Sequence, residues 1–236
     1  MTVAENIAAV RARVDAAARS AGRDPGQVRL CAATKVQSDD TIRAAIAAGV
    51  TLCGENRVQE LTAHLAAGAY AGACVHFIGH LQTNKVKQVV GKVELIHSVD
   101  SEHLLRAIAA QAEKLGIVQD ILLEVNVGGE ESKSGFHPDD ILPLVNKLAQ
   151  FPNIRVKGLM TIPPISQKNG DNVKFFQKIY NISVDIIALL GDNGMAKYLS
   201  MGMSDDYTDA IACGSTMIRV GTAIFGARDY SKLNQN

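Results

Sequence analysis

The chain has 236 residues, with 24 Lys plus Arg against 24 Asp plus Glu, 47% apolar and 20% charged residues. That balance supports a sizeable core and excludes a polyanion-binding surface, and no basic tract suits nucleic acid. No run of about 20 apolar residues spans a bilayer, and Met1-Thr2-Val3-Ala4-Glu5 is not a secretory leader. A cytoplasmic protein with neither membrane nor nucleic-acid partner is expected. The cysteines, Cys31, Cys53, Cys74 and Cys213, form no C-x-x-C pair, so neither a disulfide framework nor a zinc site is expected.

Helix-like and strand-like patterns alternate along the chain. Ile7, Val10, Val14 and Ala18 mark one face of a helix from about Val3 to Ala21, stopped by Gly22. Arg29 to Thr34 reads as the first strand, and Ser38 with Asp39 and Asp40 opens a helix ending near Gly49. Val50 to Cys53 is the second strand, followed by a helix from Asn56 to Ala67. Val75 to Ile78 is the third, Gln82 to Val90 a short helix, and Val93 to His97 the fourth. Asp100 reads as the cap of a helix through Leu115. Asp120 to Val127 is the fifth strand, followed by a helix from Pro138 to Gln150. Ile154 to Met160 is the sixth. The longest polar connection, Pro163 to Gly170, leads to a helix from Asp171 to Leu190. Lys197 to Met201, a helix from Ser204 to Cys213, and Met217 to Val220 complete the pattern.

Eight strands alternating with helices predict a parallel sheet with right-handed crossovers. An open doubly wound sheet fits the alternation, but a (β/α)8 TIM barrel with an extra N-terminal helix fits it better. Residues able to do chemistry end several strands, including the first and the last, and only a barrel brings those ends to one face. The expected organisation is one domain over residues 1–236.

Lys35 closes the first strand and offers an amine. Ser204, before Asp205 and Asp206, reads as a helix start, and Gly221-Thr222 follows the last strand. Together these offer hydroxyls and N–H groups to a phosphate. A lysine Schiff base beside a phosphate cradle suits pyridoxal 5'-phosphate (PLP). Arg219, in the apolar run Met217-Ile218-Arg219-Val220, needs an acceptor. That acceptor is a structural partner or the pyridine nitrogen, which would then stay unprotonated. Asn56 either faces the cofactor or caps a helix. His76 and His80 read as structural or rim residues, and no metal site is expected. Ser132 to Gly135 suits the barrel mouth, where Lys133 is a second, more exposed amine.

Several segments carry a resemblance: Ala33-Thr34-Lys35, Gly54-Glu55-Asn56, His76 to Lys85, Ser132 to Gly135, Gly158-Leu159-Met160, Ser200 to Asp206 and Arg219 to Gly226. In this order, across nearly the whole chain, they resemble the YggS/PROSC family of pyridoxal phosphate homeostasis proteins. His80 departs from the proline of some members, and residues 163–172 are variable. The resemblance implies a barrel like the N-terminal domain of alanine racemase, of PLP fold type III. It implies an aldimine on Lys35, phosphate contacts from Ser204, Gly221 and Thr222, Arg219 at the pyridine nitrogen, and Asn56 and Met201 nearby. It also implies a role in vitamin B6 homeostasis without efficient catalytic turnover, because about a dozen residues after the last strand cannot build the racemase's second domain. A monomer that hands PLP to apo-enzymes is the leading expectation. A PLP-dependent racemase and a class I Schiff-base aldolase are the alternatives.

Overall fold

The computed structural model describes residues 1–130, 133–164, 170–190 and 198–226, with backbone alone for 188–190. Ser132, Lys197, part of the variable 163–172 connection and the tail from Ser231 to Asn236 lie outside the described residues. Eight parallel strands close into a barrel in chain order: β1 (Arg29–Ala33), β2 (Leu52–Glu55), β3 (Cys74–Phe77), β4 (Leu95–Val99), β5 (Gln119–Glu124), β6 (Ile154–Met160), β7 (Tyr198–Ser200) and β8 (Met217–Val220). Closure rests on β1 lying between β2 and β8, with Ala33 paired to Gly54 and Ala32 to Val220.

The described helices are α1 (Val3–Ser20), α2 (Asp39–Ala47), α3 (Val58–Ala66), α4 (Glu102–Leu115), α5 (Ile141–Val145), α6 (Val173–Leu190), α7 (Tyr207–Ala212) and α8 (Thr222–Phe225). Side chains alternate across each strand, so two apolar layers form. Inside the barrel pack Cys31, Ala33, Leu52, Leu95, Leu122, Met160 and Met217. Between barrel and helices lie Ala32, Cys53, Phe77, Ile96, Ile121, Leu159 and Ile218. The extra helix α1 buries Ile7, Val10, Val14 and Ala18 and starts in a Thr2/Glu5 capping box. Asn6 Nδ2 donates to Ile224 O at 2.8 Å, tying α1 to α8 beside the closure. Among the described residues, no helix is long and apolar enough to cross a membrane.

Several boundaries differ from the expected ones. Strand β2 runs on to Glu55, whose buried carboxylate takes the N–H groups of Asn56 and Arg57 at 2.7 and 3.3 Å. Strand β4 continues through the polar pair His97-Ser98, because both side chains are buried. Ser101, not Asp100, caps α4 through Leu104 N, and Asp100 instead meets His80 at 3.2 Å. The helix expected from Gln82 to Val90 is a 3-10 helix over Thr83–Gln88. The helix expected from Pro138 to Gln150 breaks into a 3-10 turn, the short α5 and another 3-10 turn. Pro143 is the reason: a continuous helix would need its missing N–H, whereas a restart at Ile141 places it in a first turn. Helix α7 begins at Tyr207 after Asp206, so Ser204 is not its cap.

Candidate functional site

The carboxyl ends of the strands converge on one face, and pairing fixes their levels. Ala33 pairs with Gly54, so Lys35 and Asn56, each two residues on, leave the barrel at one height. Val220 pairs with Ala32, so Gly221 is level with Ala33. A Cβ at Gly221 would stand 3.4 Å from Ala33 O, in ordinary contact with the strand that leads to Lys35. Lys35 is half-buried, and Val36 after it has φ of 65°, the one non-glycine residue with positive φ among those described. A β-branched residue resists that conformation. It is held by Glu60 Oε2, which accepts Val36 N–H at 2.7 Å.

Opposite Lys35 across the β1–β8 seam, Ser204 Oγ accepts Ala223 N–H at 3.3 Å. The expected helix start at Ser204 is thus corrected: its hydroxyl meets the first turn of α8, whose N-cap is Gly221. Thr222, exposed at the first position of α8, has an N–H with no acceptor inside the helix. Met201 is fully buried just beyond β7, and Gly202 O accepts Arg219 N–H at 3.0 Å. Asn56 Oδ1 is a buried acceptor with no donor among the described residues. These groups all follow carboxyl ends of barrel strands: an amine, an orphaned acceptor, a hydroxyl and N–H groups, a set that suits an anionic ligand with a reactive carbon.

Arg219 is buried one residue before the end of β8. Its Nη1 donates to Ser200 O at 2.8 Å and Ser200 Oγ at 2.6 Å, and its Nη2 to Thr161 O at 2.9 Å. Burial pulls its pKa down, while Cys31, Glu124 and Asp206 pull it back. From Ser200 a chain continues into the barrel, through His97 Nδ1 at 3.1 Å and from His97 Nε2 to His76 Nδ1 at 2.9 Å. Burial lowers the His76 pKa to about 3 and that of His97 well below its usual value, so both rings are neutral. Arginine only donates, so Ser200 Oγ accepts from Arg219. The sense of the two histidine links follows the ring tautomers, and His76 Nε2 is buried without a partner among the described residues. The chain freezes the guanidinium in place.

Sequence reasoning missed Glu124. It ends β5, is 8% exposed, and its carboxyl is pushed up to about 7 by burial and then by Asp100, against the pull of Arg219. The available signal was a carboxylate closing the apolar run Ile121-Leu122-Leu123. His97 and Ser200 gave no signal, because their roles depend on facing each other across the barrel. His80 and Lys133 stand at the rim.

Residues 6–229 match the family model for the alanine racemase N-terminal domain. A pyridoxal phosphate homeostasis protein from Aquifex aeolicus is 41% identical over 230 residues, covering 98% of this chain and 100% of its own. Among solved structures, a protein of unknown function from Bifidobacterium adolescentis superposes with TM-score 0.87 at 40% identity, covering 94% of both chains. PipY of Synechococcus elongatus PCC7942, solved with PLP bound, superposes with TM-score 0.82 at 31% identity, covering 95% of this chain and 100% of its own. A single parallel barrel carries Lys35, Asn56, Ser204, Arg219 and Thr222 to one mouth, and with these likenesses the chain belongs to the YggS/PROSC family of pyridoxal phosphate homeostasis proteins.

Proposed function

We propose that this protein binds PLP at the barrel mouth and takes part in PLP homeostasis, holding the cofactor covalently through Lys35. PLP supplies a reactive aldehyde and a phosphate dianion when bound. Lys35 Nζ would provide the amine that holds the aldehyde carbon. The hydroxyls of Ser204 and Thr222 and the N–H groups at Gly221 and Thr222 would hold the phosphate with neutral, fixed donors. Asn56 Oδ1, an acceptor in want of a donor, and the buried thioether of Met201 would border the ring. Arg219 would donate to the pyridine nitrogen and keep it unprotonated, because a guanidinium does not give up its proton. An unprotonated ring is a poor electron sink. The reading is therefore a carrier that passes PLP to apo-enzymes as a monomer, without efficient turnover of amino acids.

The observation that carries this reading is the β1–β8 closure, which sets the Lys35 strand end level with Gly221. The test is borohydride reduction of the PLP-loaded chain followed by peptide mapping. The reduced adduct is expected on Lys35, and Lys35→Ala should lose the imine absorbance while keeping the fold. An adduct on Lys133 in its place overturns the assignment. Failure of the chain to take up PLP at all overturns the reading.

A further inference from the structure

With Lys35 read as the amine that takes PLP, we infer that Glu60 is its positioning residue: the carboxylate locks the strained turn that carries Lys35 into one conformation. Lys35 lies in a turn between β1 and α2, closed by Gln37 N–H donating to Thr34 O at 3.0 Å. Lys35 holds the second position of that turn and Val36 the third, where φ is 65°. A positive φ there marks a type II turn, whose third position calls for glycine or asparagine. Valine resists it, because its branched Cβ crowds the backbone at positive φ. The relaxed alternative is a type I turn, in which the peptide between Lys35 and Val36 is flipped over and Val36 returns to negative φ.

Glu60 opposes that flip. Its Oε2 accepts Val36 N–H at 2.7 Å, and the flip would turn this N–H away and bring the Lys35 carbonyl toward the carboxylate. Its Oε1 accepts from Arg57 Nη1 at 3.1 Å, and Arg57 follows Asn56 on the connection after β2. One carboxylate, with only a fifth of its side chain exposed, thereby ties the turn of Lys35 to the segment of Asn56. Both ends of the turn are fixed independently. Thr34 N–H donates to Gly54 O at 2.9 Å, and Ser38 caps α2 through Thr41 N–H at 3.2 Å. The central peptide is what remains to be chosen, and the backbone angles it sets at Lys35 decide which side-chain rotamers are open. Strain of this kind shifts a population by about tenfold or more. Without the clamp the competent conformation falls to about a tenth, and the apparent affinity for covalent uptake falls by the same factor.

The test compares PLP with deoxypyridoxine phosphate, which keeps the ring and the phosphate but carries a methyl group where PLP has its aldehyde. In Glu60→Ala the PLP concentration that half-saturates the borohydride-trapped adduct on Lys35 should rise about tenfold. Affinity for the deoxy analogue should not change. Glu60→Gln, whose amide oxygen still accepts from Val36, should lie nearer the parent. Adding Val36→Gly to Glu60→Ala should restore covalent uptake to within about twofold, because glycine adopts either sign of φ without a clamp. In the cofactor-free chain, Val36 N–H should exchange at least about tenfold faster in Glu60→Ala than in the parent, followed by NMR. A parent with no trapped adduct on Lys35 overturns both the PLP reading and this inference. A parent that forms the adduct while Glu60→Ala matches it overturns the inference alone. So do equal losses for PLP and the deoxy analogue, a double variant no better than Glu60→Ala, and unchanged Val36 exchange. If Glu60→Ala does not fold, Glu60→Asp, one methylene short of Val36, takes its place under the same criteria.

Discussion

Glu124 is a carboxylic acid that the fold keeps protonated beyond its usual range, and this has a measurable cost. Its pKa rises from 4.5 to about 7, chiefly because burial penalises the anion, with Asp100 adding repulsion and Arg219 opposing both. Below the lower value the group is protonated in both states and contributes nothing. Between the two values the native protein keeps a proton that the unfolded chain releases, so stability falls as pH rises. Above about 7 the full cost is present. The gap, at about 1.36 kcal/mol for each pH unit, comes to about 3 kcal/mol. Glutamine has the same shape and no charge. Glu124→Gln should therefore be more stable than the parent by up to about 3 kcal/mol near pH 8, or about 6–12 °C in Tm for a chain of this size. Near pH 4.5 the two should match. Urea unfolding of the cofactor-free proteins across that range measures the difference, and other titrating groups cancel in it. A gap that does not change with pH would refute the argument, as would one that widens toward acid.

Ser204→Ala combined with Thr222→Ala should weaken PLP binding about 10–100-fold, from the loss of hydrogen bonds to a charged acceptor worth about 1.5–3 kcal/mol. Pyridoxal, which lacks the phosphate, should be nearly unaffected, and fluorescence titration of both ligands checks this. Gly79→Ala would place a Cβ 2.1 Å from Asn56 O, a clash with backbone rather than a movable side chain. It should cost about 1–3 kcal/mol by urea unfolding and displace Asn56 from the mouth. The PLP-loaded protein mixed with L- or D-alanine in deuterated water should show no rapid α-proton exchange or inversion by NMR and chiral chromatography. Rapid turnover that is lost in Lys35→Ala would make the protein an enzyme.

Much of the fold was legible because its signals are local. Ile7, Val10, Val14 and Ala18 repeat at helical spacing and are the buried face of α1, and Ile154 to Met160 forms β6 as its pattern indicates. Two misread strand ends, those of β2 and β4, share one cause. The polar residues Glu55 and Ser98 read as lying beyond strand ends, yet their side chains are buried and the strands continue through them. Ser204 was assigned to the nearer helix, α7, whereas its hydroxyl serves α8, 18 residues downstream of it in the chain.

By itself the sequence determined the order of strands and helices and the position of Lys35 at a strand end, because periodicity, caps and turns act over a few residues. Only the tertiary structure decided what the polar residues do. His76, His97, Ser200 and Arg219 come from four strands, and Glu60 reaches the turn of Lys35 from a helix. Whether an imidazole is neutral or a carboxyl keeps its proton depends on how much water remains around it and which charges stand opposite. Both are fixed by the closure of β8 on β1 and by the packing of helices around the barrel, which no local stretch of chain encodes.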